Sequence, residues 1–297
     1  MKVLLLGKSG QVGWELQRSL ATLGDLVALD RHEGNGLSGD LANLEALRET
    51  IRHVAPDVIV NAAAYTAVDK AESDHNTARL INADAVELLA QESARLGCLL
   101  VHFSTDYVFD GSGSEPWQEQ DQVAPVNAYG STKLAGEQAI LASGCKHLIF
   151  RTSWVYGARG NNFAKTMLKL ATDRTQLNVI ADQIGAPTGA DLIADVTTVA
   201  IRHARGDDKV CGIYHLAASG FTSWHEYATL VIDCGRAAEE TLAVQCITPI
   251  LTEQYPTPAR RPLNSRLNTD KLCRTFSIHL PDWQSGVTRM LKEVLVR

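Results

Sequence analysis

The amino-acid sequence predicts an α/β fold, on the evidence of three patterns. The chain begins with an apolar strand, a glycine-containing turn and a helix; apolar strands then alternate with helical stretches; beyond about residue 151 the elements are shorter and the loops more polar. Such alternation builds a parallel sheet through right-handed crossovers. We therefore predict a Rossmann-type doubly wound parallel sheet over residues 1–154 and a smaller α/β domain over residues 155–297, from which a segment near 189–217 returns to the first.

The first strand and helix have the order of a phosphate-binding turn. An apolar run over residues 2–7 leads into Gly7-Lys8-Ser9-Gly10-Gln11-Val12-Gly13, and apolar residues at helical spacing follow. Glycines let the backbone approach a pyrophosphate closely, and the N–H groups at a helix start bind its negative charge. The spacing Gly-x-x-Gly-x-x-Gly is related to the dinucleotide fingerprint and also occurs in ordinary strand-to-helix turns.

The second strand carries a signal for the type of dinucleotide. An apolar run over residues 26–29 ends in Asp30, whose carboxylate can accept both ribose hydroxyls of an adenosine and so favours NADH. Arg31 and His32 follow directly, and a cation there can bind a 2′-phosphate. We therefore expect NADPH to be used as well as NADH.

Three further segments meet at one edge of the predicted sheet. Apolar strands are predicted over residues 57–61 and 99–104, with a long helical pattern through residues 85–96 between them. The carboxyl ends of parallel strands share one edge, which is where open α/β sheets bind ligands. The segments that follow these ends are Asn61-Ala62-Ala63-Ala64-Tyr65-Thr66, Ser104-Thr105-Asp106-Tyr107-Val108-Phe109-Asp110 and a helix entered after Pro125 with Asn127 as its N-cap.

That helix carries the pair of residues with the clearest chemical meaning. Tyr129 and Lys133 have i, i+4 spacing and so share one helix face. A cation about 4 Å from a phenol favours the phenolate by roughly 4 kcal/mol at an effective dielectric of about 20, or about three pKa units. We therefore expect Lys133 to lower the pKa of Tyr129, although the same spacing occurs on amphipathic helices with a packed tyrosine.

The composition is that of an ordinary globular protein. The 297 residues are 45% hydrophobic and 21% charged, and the apolar start is too short for a signal peptide or a transmembrane helix, so we expect a cytoplasmic protein. A net charge of −6 argues against broad binding of nucleic acid or of an anionic membrane. The six cysteines stand singly without C-x-x-C, which indicates neither a zinc site nor a disulfide framework.

Several segments taken together resemble one family. They are Gly7-Lys8-Ser9-Gly10-Gln11, Asn61-Ala62-Ala63-Ala64-Tyr65-Thr66-Ala67-Val68-Asp69, Ser104-Thr105-Asp106-Tyr107-Val108-Phe109-Asp110-Gly111, Tyr129-Gly130-Ser131-Thr132-Lys133-Leu134-Ala135-Gly136-Glu137, Arg151-Thr152-Ser153-Trp154-Val155-Tyr156-Gly157 and Arg260-Arg261-Pro262-Leu263-Asn264-Ser265. The pattern runs nearly end to end and is similar to the dTDP-4-dehydrorhamnose reductases, a branch of the extended short-chain dehydrogenase/reductases. The resemblance implies reduction of the C4 ketone of a dTDP-sugar, dTDP-4-dehydro-L-rhamnose, by NADH or NADPH, the last step of dTDP-rhamnose biosynthesis.

The resemblance implies a catalytic group of three residues. Tyr129 is implied to protonate the ketone oxygen as a hydride reaches the carbon from the nicotinamide. Lys133 is implied to lower the pKa of that phenol and to hold the hydroxyls of the nicotinamide ribose. Thr105 matches the hydroxyl that completes the triad, with Ser104 as its nearest alternative.

The resemblance also implies the binding residues. Those implied for the cofactor, besides Tyr129 and Lys133, are Gly7, Gly10, Gln11, Val12, Asp30, Arg31, Asp40, Leu41, Ala63, Ala64, Tyr65 and Thr66. Those implied for the substrate are Thr105, Asp106, Tyr129, Trp154, Arg260 and Arg261, with an arginine as a bidentate clamp on the diphosphate. From composition alone, Trp154 fits a core position and the two arginines fit a solvated surface pair.

Members of this family use magnesium held by carboxylates at a dimer contact, which implies a homodimer here. The candidate ligands are Glu15, Asp191 and Glu293, each on a predicted helix face. Ligands that are all oxygen suit Mg²⁺. An acid on a helix face is also commonly just solvated.

Two other functions fit part of the pattern. A 4-epimerase or 4,6-dehydratase acting on nucleotide sugars needs the same Tyr129 and Lys133, but dehydratases usually carry an acid pair beside the threonine, and Thr105 is followed by Asp106-Tyr107. The other alternative is a non-catalytic, reductase-like regulatory subunit. The intact Tyr129, Lys133 and Thr105 speak against it.

Overall fold

The computed structural model describes residues 1–31 and 36–295. Its strands are β1 (Lys2–Leu6), β2 (Asp25–Leu29), β3 (Val58–Asn61), β4 (Leu99–Thr105), β5 (His147–Thr152), β6 (Val155–Tyr156), β7 (Gln176–Ile180), β8 (Ile184–Gly185), β9 (Thr188–Gly189), β10 (Gly212–His215), β11 (Thr222–Ser223) and β12 (Cys246–Ile250). Its α-helices are α1 (Gln11–Leu20), α2 (Leu44–Val54), α3 (Val68–Ala71), α4 (His75–Arg79), α5 (Ala85–Leu96), α6 (Ala128–Ser143), α7 (Phe163–Asp173), α8 (Ala190–Gly206), α9 (Trp224–Ala237), α10 (Asp270–Phe276) and α11 (Trp283–Leu295). A π-helical turn, Leu80–Asp84, joins α4 to α5.

A six-stranded parallel sheet lies at the centre, in the order β10-β5-β4-β3-β1-β2. From β1 the chain passes to β2 on one side and then to β3 on the other, which makes the carboxyl ends of β1 and β3 the switch point where open α/β sheets bind ligands. The predicted fold class is confirmed. The first four strands end within one residue of their predicted bounds.

Both faces of the central strands are buried. Val3 and Leu5 on β1 pack in a layer with α1, α8 and α10, whereas Leu4 and Leu6 pack in the opposite layer with α2, α5 and α6. All four side chains are fully buried. A strand that is buried on both faces is apolar at nearly every position, because burying apolar surface stabilises the fold by about 25 cal/mol per Å². Such a strand appears in the sequence as a continuous apolar run, and that pattern located these strands.

Segments from the second half of the chain complete this sheet. The segment predicted to return, near 189–217, forms α8, which packs along α1, and β10, which pairs with β5. Leu272 and Phe276 of α10 pack in the same core. A separate core joins α7, α9, α11 and the ladder of β7 and β12. The boundary at residue 154 stays a prediction, since the later chain crosses between the two cores more than once.

None of the helices within residues 1–31 and 36–295 has the length and apolar content that a bilayer crossing requires. His32, predicted beside Arg31 as a cation for a 2′-phosphate, lies outside the described residues.

Candidate active site

A cleft of about 730 Å³ opens along the carboxyl ends of the central strands, within the size range of cofactor sites. Its walls come from the turn after β1, the ends of β2, β3 and β4, the start of α6, residues 152–155 and Trp224. The predicted residues that line it are Gly7, Gly10, Gln11, Val12, Asp30, Arg31, Asp40, Leu41, Ala63, Ala64, Thr66, Thr105, Asp106, Tyr129, Lys133 and Trp154. The fold therefore brings together residues from most of the segments that the sequence singled out.

Two glycines make the turn after β1 possible. Gly7 has φ +85°, and a Cβ there would lie 2.7 Å from the backbone nitrogen of Ala63. A Cβ at Gly13 would lie 1.9 Å from the carbonyl oxygen of Gly7. A larger residue at Gly7 would collide with the backbone that follows β3, and one at Gly13 would push α1 away from the end of β1. Helix α1 therefore starts directly against the end of β1, where its N–H groups suit an anion.

Asn127 begins α6, as predicted from the sequence. Its side-chain oxygen accepts the N–H of Gly130 at 2.8 Å, and its Nδ2 donates to the carbonyl oxygen of Arg260 at 2.8 Å. The same residue thus caps the helix and ties it to a distant loop. This anchoring fixes the first turns of α6, so that Tyr129 and Lys133 both face the cleft.

The pKa of Tyr129 moves in the direction opposite to our prediction. Burial raises it to about 12, the charge of Asp106 adds to this effect, and the contact with Thr105 acts against it. The predicted lowering by Lys133 is therefore wrong for this arrangement. Because desolvation and the charge of Asp106 outweigh the contact with Thr105, Tyr129 stays protonated at neutral pH.

The amine of Lys133 is turned toward β4. Its Nζ donates to the carbonyl oxygen of Phe103 at 2.7 Å and lies 3.1 Å from Nε2 of His102. The side chain is 1% exposed, and burial lowers its pKa to about 8 against the opposing charge of Glu137. In keeping with this inward direction, Lys133 is not among the groups that shift the pKa of Tyr129.

Thr105 and Asp106 follow one another at the end of β4. The hydroxyl of Thr105 donates to Oδ1 of Asp106 at 3.1 Å. Burial raises the pKa of Asp106 to about 7, against the effect of its hydrogen bonds, and its Oδ2 has no hydrogen-bond partner among the described residues. Oγ of Ser104 likewise has no partner in the described part of the chain, so both it and Thr105 remain candidate triad hydroxyls.

Trp154 lines the cleft in an unusual backbone conformation. Its φ is +49°, and its ring stacks on that of Trp224 with centroids 3.6 Å apart and planes 13° apart. Trp224, which also lines the cleft, was not predicted. The capping box of Ser223 and Glu226 is readable in the sequence and marks the start of α9. Nothing local in the sequence places that helix start against Trp154.

Three predicted binding residues do not line the cleft. The hydroxyl of Tyr65 donates to Asp74 at 3.1 Å. Arg261 donates to Asp69 at 2.7 Å, and Arg260 is exposed to solvent. The motifs identified these segments but not the directions of their side chains, which for Tyr65 and Arg261 are set by Asp74 and Asp69.

The three acids proposed as magnesium ligands do come together, but around an arginine. Burial raises the pKa of Glu15, and the charges of Asp191 and Glu293 add to that rise. Arg289 is ion-paired with Asp191 and lies 3.5 Å from Glu293. Among the described residues, no group of three or more His, Cys, Asp or Glu is arranged to hold a metal. The implied magnesium, with carboxylates from two subunits, therefore stays a prediction.

Comparison with known proteins points to one family. The family model described as RmlD substrate binding domain matches residues 1–296. The dTDP-4-dehydrorhamnose reductase of Shigella flexneri is 57% identical over 294 residues, which are 99% of this chain and 98% of that protein.

Solved structures agree with the sequence comparison. A dTDP-4-dehydrorhamnose reductase from Clostridium acetobutylicum superposes with a TM-score of 0.89 at 34% identity and covers 99% of each chain. The Bacillus anthracis enzyme of the same name, in complex with NADP, gives a TM-score of 0.87 at 34% identity, with 98% of this chain and 99% of that chain covered.

Proposed function

The chain belongs to the dTDP-4-dehydrorhamnose reductase family, and we propose that the cleft at the edge of its sheet carries out the reaction of that family. The enzyme reduces the C4 ketone of dTDP-4-dehydro-L-rhamnose with NAD(P)H and forms dTDP-L-rhamnose, the final step of dTDP-rhamnose synthesis. The observation that supports this location best is the presence of the glycine turn, Asp30 and the pair of Tyr129 and Lys133 in one cleft.

Tyr129 is the proposed proton donor. Its raised pKa keeps the phenol protonated at neutral pH, and the alkoxide that forms at C4 is a much stronger base than a phenolate, so the proton moves to the product oxygen. NAD(P)H supplies the hydride when it is bound. Thr105 stands beside the phenol and is proposed to orient it, and Lys133 to hold the nicotinamide ribose.

The end of β2 is the proposed site for the adenosine ribose. Asp30 and Arg31 both line the cleft there. A carboxylate accepts hydrogen bonds from the 2′ and 3′ hydroxyls of NADH, and a guanidinium binds the 2′-phosphate of NADPH. The two side chains together account for the use of both cofactors.

The sugar is proposed to bind between the end of β4 and the stacked indoles. Asp106 lines the cleft at the end of β4 and is proposed to bind a sugar hydroxyl there. Trp154, stacked on Trp224, offers a flat apolar wall to one face of the ring. Both groups lie in the same cleft as Tyr129.

The decisive assay mixes the purified chain with dTDP-4-dehydro-L-rhamnose and follows the loss of nicotinamide absorbance, with saturating NADH and separately with NADPH. We expect turnover with both cofactors. A protein that purifies with stoichiometric NAD⁺ and interconverts sugars without net oxidation would be an epimerase instead. A protein without turnover that alters the rate of another enzyme would be a regulatory subunit.

We infer further that the enzyme works as a homodimer in the cytoplasm. The half-exposed Trp14 lies under the guanidinium of Arg159, and the two side chains offer an aromatic and cationic surface. Light scattering of the purified protein at several concentrations tests the dimer; a monomer at all of them would exclude it.

A further inference from the structure

Two buried side chains that the proposed mechanism does not use connect Lys133 to the interior of the sheet. His102 on β4 and Asn61 on β3 are paired across the parallel ladder, and each is 1% exposed. Nδ1 of His102 lies 3.2 Å from Nδ2 of Asn61, and Nε2 of the same ring lies 3.1 Å from Nζ of Lys133. A continuous polar chain therefore runs from Asn61 to Lys133.

The backbone fixes the orientation of the Asn61 amide. Its Oδ1 accepts the N–H of Ala63 at 3.2 Å, so Nδ2, which only donates, faces His102. Nδ1 of His102 must then accept, and a neutral ring carries its proton on Nε2. Burial, with the charge of Lys133, lowers the pKa of His102 well below its usual value and keeps the ring neutral.

The proton on Nε2 of His102 points at Lys133. An ammonium has three N–H donors and no acceptor, whereas a neutral amine has a lone pair that accepts this N–H. The other inward contact, from Nζ to the carbonyl oxygen of Phe103, is a donation that both forms make. The network therefore favours the amine over the ammonium, in the same direction as burial.

We propose that Asn61 and His102 are positioning residues that hold the nitrogen of Lys133 toward β4 and ease the loss of its proton. The proposal rests on the role proposed for Lys133. When Tyr129 gives its proton to the ketone oxygen, water in the cleft that both residues line carries a proton from the Lys133 ammonium to the phenolate, so that the N–H bond breaks as the O–H bond of the phenol re-forms. Water then returns a proton to the amine, so the protein ends the cycle unchanged.

The titratable groups that face Lys133 come from β4 and from α6. His102 lies on β4, and Tyr129 and Glu137 lie on α6. The charge of Glu137 raises the pKa of Lys133 and so opposes the network. A substitution that replaces the N–H donor at His102 by an acceptor removes the group that disfavours the ammonium. Glu137 stays in place and still favours the ammonium, so the pKa of Lys133 should rise.

Two substitutions make that change by different routes. His102→Gln can present its carbonyl oxygen to the ammonium. Asn61→Asp accepts a hydrogen bond from an N–H at Nδ1 of His102, which leaves Nε2 without a proton and able to accept from Lys133. In each variant we expect the pKa of Lys133 to rise by about one unit or more, which corresponds to about one hydrogen bond.

The measurement is a titration of the intact protein by NMR, with lysine labelled at Cε and the Lys133 signal assigned by its loss in Lys133→Met. The matched control is His215→Gln, because His215 is another fully buried histidine, on β10, and does not contact Lys133. We expect that control to keep the wild-type titration. A Lys133 signal that titrates alike in wild type, His102→Gln and Asn61→Asp would overturn the proposal.

The titration needs no turnover, so it separates this proposal from the proposed function. Normal turnover in Lys133→Met would remove the catalytic role of Lys133 and leave the titration result intact. If His102→Gln does not fold, Asn61→Asp tests the same prediction, and thermal unfolding of each variant identifies which of them remain native.

Discussion

Thr105 donates its hydroxyl hydrogen to the carboxyl group of Asp106, with 3.1 Å between Oγ1 and Oδ1. The two residues affect Tyr129 in opposite directions: the charge of Asp106 raises the pKa of the phenol, and the contact with Thr105 lowers it. Burial is the largest cause of the raised pKa of Tyr129, and these two consecutive residues at the end of β4 modify it in opposite directions. Four predictions follow from this site and its surroundings.

Tyr129→Phe should lower kcat by about 10²- to 10⁴-fold, the usual contribution of a positioned general acid, because the variant has no proton to give. The Kd for NADPH, measured by fluorescence titration, should stay close to the wild-type value. Tyr156→Phe is the control, since Tyr156 is 3% exposed and packs in the second core. Near-normal turnover in Tyr129→Phe would exclude the phenol as the donor.

Asp106→Asn should make stability less dependent on pH. The pKa of Asp106 in the folded chain is raised to about 7 from its ordinary value of 3.8, so the folded state binds more protons than the unfolded state between these values. Its contribution to stability is therefore present below the lower value and is lost as pH rises through about 7. The Tm of Asp106→Asn minus the Tm of the wild type should therefore be roughly 5 °C higher at about pH 8 than at about pH 5.

Scanning calorimetry at the two pH values measures this difference in Tm. Asp182→Asn is the control. It also replaces an aspartate whose carboxylate accepts hydrogen bonds, in this case from Thr252. A wild-type protein whose Tm tracks that of Asp106→Asn at both pH values would show that Asp106 titrates as an ordinary carboxylate.

Glu137→Gln should destabilise the fold by about 3–5 kcal/mol, because it leaves the charge of Arg151 buried without its partner. Nη2 of Arg151 lies 2.7 Å from Oε2 of Glu137, and both side chains are almost completely buried. The matched surface change is Asp233→Asn, which breaks an exposed pair with Arg236 and should cost less than about 1 kcal/mol. Urea unfolding measures the loss of stability in both variants. Equal losses in the two variants would contradict the prediction.

Arg31→Ala should raise the KM for NADPH by about tenfold and leave the KM for NADH nearly unchanged, since only NADPH carries a 2′-phosphate for the guanidinium. Arg48→Ala is the control, because Arg48 pairs with Glu45 on the surface of α2. Steady-state kinetics with each cofactor distinguish the outcomes. An equal rise for both cofactors would place Arg31 on a part of the dinucleotide that they share.

The elements that depend on local pattern were predicted well. Strands β1 to β4 were located because double burial demands apolar runs, and α6 because Asn127 is a good N-cap before a helical stretch. The π-helical turn at Leu80–Asp84 was not predicted, since nothing in its composition distinguishes it from the α-helix that follows. Trp224 was missed because its place beside Trp154 depends on how α9 packs, which is a long-range property.

The sequence by itself determined the parallel sheet, the glycine turn and the presence of Tyr129 and Lys133 on one helix face, because these depend on residues close together in the chain. Only the tertiary structure decided the direction of the Lys133 amine, the pairing of Arg261 with Asp69 and the raised pKa of Tyr129. These properties depend on burial and on partners from distant segments. Desolvation and hydrogen bonding act through space, and their strength is set once the chain has folded.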